Sequence, residues 1–92
     1  MMKHPEHRNQ LKQLNRIIGQ LQGVKKMIEE GRYCMDILMQ AKAAESSLRS
    51  LERKILDTHL HGCVYQAFSQ PLSQTEAEKK IEEISSFLKT FR

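Results

Sequence analysis

Cys34, His59 and Cys63 are the residues of this 92-residue chain whose types and spacing could perform chemistry. Thiolate and imidazole are ligands that soft and borderline metal ions bind well. His59 and Cys63 are four residues apart, so on a helix they would lie one turn apart on the same face. Cys34 precedes His59 by 25 residues, which within one helix corresponds to roughly 37 Å. A site built from all three side chains therefore requires a second, antiparallel copy of the chain, and it would bind a metal or react with sulfur species.

The ligand number and spacing favour Cu(I) over structural zinc. Three ligands suit a trigonal Cu(I) site, whereas structural zinc is usually bound by four. The spacing of the two cysteines also matches no zinc-finger pattern. The alternative is that Cys34 and Cys63 are small core residues and that His59 is a hydrogen-bonded surface residue.

Apolar residues recur with helical periodicity, which predicts an all-α chain of three helices at about 5–30, 33–68 and 75–90. Pro5 suits a first helical turn, and Gly31 suits the end of the first helix. Thr75 and Glu78 form a capping box before the third helix, and Ser73 with Glu76 is an overlapping alternative.

Each predicted helix has one apolar face. The first helix presents Leu11, Leu14, Ile18, Leu21 and Ile28, widened by Ile17 and Val24. The second presents Cys34, Leu38, Ala41, Leu48, Leu51 and Ile55, flanked by Ile37 and Ala44. The third presents Ile81, Ile84, Phe87 and Leu88. The middle of the second helix, residues 41–47, is rich in small residues, and two antiparallel copies that cross there would bring the three reactive residues together at both ends.

The basic residues are concentrated in one part of the chain. The net charge is +4, and residues 1–28 alone carry +5. A basic first helix on an otherwise neutral protein is typical of proteins that bind a polyanion such as DNA. The alternative is that these charges are only a solvated helix face.

The chain length and composition predict a single domain, 1–92, with residues 1–4 flexible. A domain of this size in which 39% of the residues are hydrophobic buries little surface alone, so we expect subunits to associate. No apolar run is long enough to span a membrane, and the first residues lack the apolar stretch of a signal peptide. The predicted location is the cytoplasm, where two cysteines are expected to be reduced.

From about Leu11 to Leu88 the chain resembles the copper-sensitive operon repressor family, the CsoR/RcnR-type DNA-binding sensors. The segments that carry the resemblance are Leu14–Gln20, Glu30–Leu38, Gln40 and Thr58–Cys63. Cys34, His59 and Cys63 coincide with the Cu(I)-sensing ligands of that family.

The resemblance implies an antiparallel homodimer that pairs into a dimer-of-dimers tetramer and contains no helix-turn-helix. It implies a repressor that binds operator DNA as apo protein and releases it when Cu(I) binds, with Zn or Ni as other metals the site could take. Tyr33 and Glu83 match positions that support the ligands through hydrogen bonds, and His4 or His7 could supply an extra ligand.

Five basic residues are expected to contact DNA: Lys12, Arg16, Lys25, Lys26 and Arg49. Gln13 and Ser50 stand where copper-sensing relatives tend to carry arginines.

The nearest alternative function keeps the fold but senses persulfide, polysulfide or formaldehyde through Cys34, with Cys63 as the partner thiol in sulfur bridging. More distant alternatives are a small helical enzyme, similar to a chorismate mutase, and a plain oligomerisation module. We expect no enzymatic activity, no small-molecule substrate and no membrane partner.

Overall fold

The computed structural model describes residues 6–69 and 73–91, and for residues 63–69 it describes the backbone alone. In this part of the chain there are no strands, and the secondary structure is a 3-10 turn, Arg8–Gln10, followed by the helices α1 (Leu11–Glu29), α2 (Cys34–Ser69) and α3 (Gln74–Thr90). The predicted all-α class with three helices is therefore confirmed. The chain comprises two compact units, Met1–Leu60 and His61–Arg92.

The first helix begins later than predicted. Glu6 and His7 are not helical, and the 3-10 turn of Arg8–Gln10 precedes α1. Pro5, which suggested the earlier start, lies outside the described residues, as do residues 1–4, for which flexibility was predicted. No side chain caps the start of α1. The segment from Glu6 to Gln10 contains no apolar residue, so it has no side chain whose burial would stabilise a helical turn.

The end of α1 agrees with the prediction that Gly31 stops it. Gly31 has a φ of +66°, a left-handed conformation that glycine adopts without steric cost. Its N–H donates to the carbonyl of Ile28 at 3.1 Å, and the N–H of Arg32 donates to the carbonyl of Met27 at 3.0 Å. These two bonds are the Schellman arrangement, which satisfies carbonyls that the end of the helix leaves unpaired.

Within the first compact unit, α1 and α2 pack as an antiparallel pair. Gly23 of α1 lies beside Gln40 of α2, because a Cβ placed on the glycine would be 3.4 Å from Nε2 of Gln40. Ten residues earlier in α1, Gln13 bonds to residues later in α2: its Nε2 donates to the carbonyl of Ser47 at 3.5 Å, and its Oε1 accepts from Nζ of Lys54 at 2.7 Å. Pairs whose numbers run in opposite directions define antiparallel helices.

This packing covers only part of each apolar face. Ile17 of α1 and Ala44 and Leu51 of α2 are the buried apolar side chains among the described residues. Ile17 and Ala44 were predicted to lie at the edges of the apolar faces. Within one chain they are instead more deeply buried than most residues predicted at the centres of those faces. The apolar residues of this unit that remain exposed include Leu11, Ile18, Leu21, Ile28, Leu38, Leu48 and Ile55. The faces are therefore wider than one α1–α2 contact can bury.

In the second unit, α3 starts one residue earlier than predicted because a different residue caps it. Ser73 has an extended backbone and its Oγ accepts from the N–H of Glu76 at 3.2 Å. Thr75, the first choice from sequence, is instead a residue of the first helical turn, so the Thr75–Glu78 box was wrong and the overlapping alternative is correct. At the other end of α3, the rings of Phe87 and Phe91 lie 5.8 Å apart, while Ile81 and Leu88 are exposed.

Among the described residues, no helix is both long enough and apolar enough to cross a membrane.

Candidate metal centre and DNA-contacting surface

Cys34 is the first residue of α2 and its side chain is exposed, with a free thiol. The carbonyl of Tyr33 accepts hydrogen bonds from the N–H groups of Asp36 at 3.0 Å and Ile37 at 3.2 Å, so α2 begins directly after Tyr33. The preceding turn is fixed by the left-handed Gly31. The thiol therefore lies at the N-terminal end of α2, where a helix macrodipole favours negative charge.

His59 is half-buried in the same continuous helix. The difference of 25 in residue number corresponds to roughly seven full turns at about 3.6 residues per turn. Cys34 and His59 therefore lie on the same face of α2, roughly 37 Å apart along its axis. One chain cannot bring these two side chains to a common metal ion.

The third predicted ligand, Cys63, belongs to α2 but its side chain lies outside the described residues. Among the side chains that the structure describes in a single chain, no group of three His, Cys, Asp or Glu residues could hold a metal ion. The three-residue site thus stays a prediction.

The other residues predicted at the metal site fall in different places. Tyr33 is exposed beside Cys34 in the first unit, and Glu83 is exposed on α3 in the second. His7 is half-buried, and its Nδ1 is buried without a hydrogen-bond partner among the described residues. His4 lies outside the described residues. Ligand or supporting roles for these residues stay predictions.

The predicted DNA-contacting residues of α1 are exposed: Lys12, Arg16, Lys25 and Lys26. Arg49 of α2 differs, because it is half-buried and its Nη2 lies 3.5 Å from a carboxylate oxygen of Glu45. Glu45 also lies 3.9 Å from Nζ of Lys42. The Glu45 carboxylate would therefore compete with DNA for Arg49.

A pocket of about 430 Å³ lies between α1 and α2. Its lining comprises Gln13, Arg16, Ile17, Gln20, Ser46, Ser47 and Ser50. Arg16 is the charged residue of this lining, which includes neither Asp nor Glu. Arg16 was predicted from the sequence as a DNA contact, but the pocket was not predicted. The signal for it is the spacing of Gln13, Arg16 and Gln20, which are three and four residues apart and so share one face of α1.

The comparisons with known proteins identify the class of protein. The family model described as metal-sensitive transcriptional repressor matches residues 6–90. The chain belongs to this family, which consists of transcriptional repressors and not of enzymes. This confirms the repressor class, the non-enzymatic character and the resemblance that the sequence motifs indicated.

Individual relatives are named for the metals they sense. The chain is 45% identical over 62 residues to the copper-sensing transcriptional repressor RicR of Mycobacterium tuberculosis, a match that covers 67% of this chain but only 65% of that protein. It is 32% identical over 102 aligned positions to the copper-sensing transcriptional repressor CsoR of Bacillus subtilis, covering 99% of this chain and 97% of that protein.

Two solved structures share the fold. The crystal structure of the copper-sensing repressor CsoR with Cu(I) from Geobacillus thermodenitrificans has a TM-score of 0.76 and 33% identity, with 94% of each chain covered. The nickel-responsive transcriptional regulator InrS has a TM-score of 0.71 and 29% identity, with both chains fully covered.

Proposed function

We propose that this chain is a Cu(I)-responsive repressor that binds operator DNA as apo protein and is released when Cu(I) binds. The ligands are Cys34 of one subunit and His59 and Cys63 of another. The observation that carries the proposal is the alignment of Cys34 and His59 on one face of a continuous helix, too far apart to meet within one chain. An antiparallel partner would place its own Cys34 opposite that His59.

The donor set fits the metal. Cys34 is an exposed thiol and His59 a half-buried imidazole, and thiolate with imidazole suits Cu(I). Ligation requires the thiol to lose its proton, and the N-terminal end of α2 is a favourable place for the resulting negative charge. The relatives named for copper and the Cu(I)-bound neighbour support copper over persulfide or formaldehyde as the signal. The nickel-responsive neighbour leaves Ni, and with it Zn, as metals that the same fold could accept.

Subunit association is supported by the exposed apolar faces of α1 and α2. A single chain leaves Leu21, Leu38 and Leu48 exposed, among others. Exposed apolar patches of this kind mark interaction sites, because their burial between subunits stabilises an interface. An antiparallel homodimer would bury these faces, and two dimers would form the tetramer. We place the repressor in the cytoplasm, with operator DNA as its partner.

The test is release of DNA by Cu(I). Apo protein is bound to a fluorescent duplex from the promoter of its own operon, and Cu(I) is added anaerobically from a buffered donor while anisotropy is recorded. We expect affinity to fall by about a hundredfold, which corresponds to a coupling free energy of about 3 kcal/mol. Linkage requires the same factor when Cu(I) affinity is measured with and without DNA.

Variants of the proposed ligands supply the controls. Cys34→Ala should keep DNA binding and lose release by Cu(I), whereas His61→Ala should behave as wild type because His61 is two residues from both proposed ligands and so points to another face. DNA affinity that does not change when Cu(I) is added to wild-type protein would exclude copper as the signal. Polysulfide treatment followed by mass spectrometry separates the sulfur alternative, which would give a crosslink between Cys34 and Cys63 of different chains.

A further inference from the structure

The pocket between α1 and α2 and the hydrogen bonds at its edge point to a site for a DNA backbone phosphate. We infer that Arg16 and Lys54 bind one phosphate together, and that the neutral side chain of Gln13 holds Lys54 in place for this purpose. The inference rests on the proposed function, since it assigns the DNA contact of the same repressor. Lys54 was not among the basic residues expected from sequence to contact DNA.

Gln13 bonds to Lys54 and lines the same pocket as Arg16. Its Oε1 accepts a hydrogen bond of 2.7 Å from Nζ of Lys54, and its Nε2 faces the carbonyl of Ser47 at 3.5 Å. Gln13 also lines the pocket, and Arg16 lies three residues further along the same face of α1. Lys54 is therefore bonded to a residue of the pocket lining that shares its face of α1 with Arg16.

The chemistry of the pocket suits an anion. The Arg16 guanidinium and the hydroxyls of Ser46, Ser47 and Ser50 are donors for phosphate oxygens, and none of the described lining residues is acidic. Oε1 of Gln20 is buried and has no hydrogen-bond partner among the described residues. A half-turn of that amide would present its two N–H donors in place of the oxygen.

DNA is favoured over a small anion by the charge around the pocket. Helix α1 has four basic residues against the single acidic Glu29, a net charge of +3, and Lys12 is exposed on this helix. A polyanion would contact many of these charges at once, whereas a small anion would contact only the pocket. Arg49 lies 3.5 Å from a carboxylate oxygen of Glu45. By contrast, Lys54 is bonded to the neutral Gln13, and the pocket lining that includes Arg16 has no acidic residue.

The experiment measures how DNA affinity depends on salt. Apo protein is titrated into a fluorescent duplex from its own promoter at several KCl concentrations. For each subunit that contacts the duplex, the double variant Arg16→Gln/Lys54→Gln should reduce the magnitude of the slope of log K against log salt by about 0.9, the value for one lost phosphate contact. Each single variant should give part of that reduction, because the remaining cation still contacts the shared phosphate. Arg16→Lys should keep the slope because it retains the charge. Lys42→Gln is the matched control. Lys42 is also a lysine of α2, but its Nζ lies 3.9 Å from a carboxylate oxygen of Glu45, which is not a residue of the pocket lining.

The positioning role of Gln13 is tested by a double-mutant cycle. Gln13→Ala changes no charge, yet in an otherwise wild-type protein it should weaken DNA binding and reduce the magnitude of the slope of log K against log salt. In a Lys54→Gln background the same substitution should have almost no further effect, because the lysine it positions is gone. A merely structural role for Gln13 would weaken binding equally in both backgrounds.

Four outcomes overturn the inference. If Lys54→Gln and Lys42→Gln have the same salt slope, Lys54 does not contact the phosphate. If the effects of Gln13→Ala and Lys54→Gln are additive, Gln13 does not position Lys54. Variants that lose affinity for the promoter duplex but not for a scrambled duplex would indicate contact with bases and not with phosphate. Wild-type protein that binds no DNA would overturn both this inference and the proposed repressor function, whereas the other three outcomes leave the latter intact.

Discussion

Cys34 and His59 face the same side of α2 although roughly seven helical turns separate them. Their midpoint falls between Ser46 and Ser47, in the stretch of small residues at the middle of the helix. Ser46 and Ser47 line the pocket beside α1, so two copies of α2 that cross at this height in opposite directions would meet through the face of Cys34 and His59. Each Cys34 would then lie opposite the partner's His59. Such a dimer would hold one site at each end of the crossed helices. The length and continuity of α2 therefore set the distance between the two sites.

Mixing two inactive variants should restore one of the two metal sites in each mixed dimer. Cys34→Ala and His59→Ala each disrupt every site in their own homodimer. In a mixed dimer, one site would lose both ligands and the other would be intact, since it takes Cys34 from one chain and His59 from the other. We expect no tight Cu(I) binding for either variant alone, and one tight site per mixed dimer after co-refolding, measured by competition with a chromophoric Cu(I) chelator.

The control for this experiment is a mixture of Cys34→Ala with wild type, which should retain half of the intersubunit sites in the mixed dimer. A mixture of the two inactive variants that binds no more Cu(I) than either alone would contradict a site shared between chains.

Replacing Leu21 with Glu should separate the subunits. Leu21 is 53% exposed in a single chain, and its apolar face on α1 is proposed to be covered by another subunit. A charge there would be costly to bury. Sedimentation equilibrium should show a lower mass than wild type. Gln22→Glu places the same charge on the next residue, which points away from this face, and should leave the mass unchanged. Equal masses for Leu21→Glu and wild type would contradict burial of this face.

Gly31→Ala should destabilise the protein by about 1 kcal/mol, because alanine is strained at the φ of +66° that ends α1. Gly19→Ala is the matched control. No atom lies within 4 Å of a Cβ at Gly19, and alanine is favoured over glycine inside a helix by roughly 0.5–1 kcal/mol. The two substitutions should therefore change the free energy of unfolding in opposite directions, measured by urea denaturation at one protein concentration. A stabilising effect of Gly31→Ala would refute the left-handed turn.

Ser73→Ala should destabilise α3 by about 1 kcal/mol, the usual cost of losing an N-cap hydrogen bond. Thr75→Ala removes a hydroxyl two residues away that caps nothing in this arrangement, so its effect should be within a few tenths of a kcal/mol. Circular dichroism during urea denaturation measures both variants. A larger effect for Thr75→Ala would support the other capping box.

Much of the local structure could be read from residue types. Gly31 ended the first helix as predicted because its left-handed conformation is a property of that one residue. The start of α1 was less predictable, because Pro5 permits a helix but cannot stabilise one where Glu6–Gln10 offer no apolar contact. The choice between Ser73 and Thr75 as the cap was equally open, since either hydroxyl satisfies the pattern and only the backbone conformation decides which one accepts the bond.

The sequence by itself determined the helical class and the repressor family, because periodicity and motif spacing are properties of the order of residues along the chain. It also predicted the metal-binding residues from ligand chemistry and spacing. Tertiary structure decided which parts of the apolar faces one chain buries, at Ile17, Ala44 and Leu51. It also decided that the neutral Gln13 binds Lys54 across 41 positions of the chain. Such contacts depend on how α1 lies against α2, and periodicity defines the faces of a helix without defining which face a given neighbour covers.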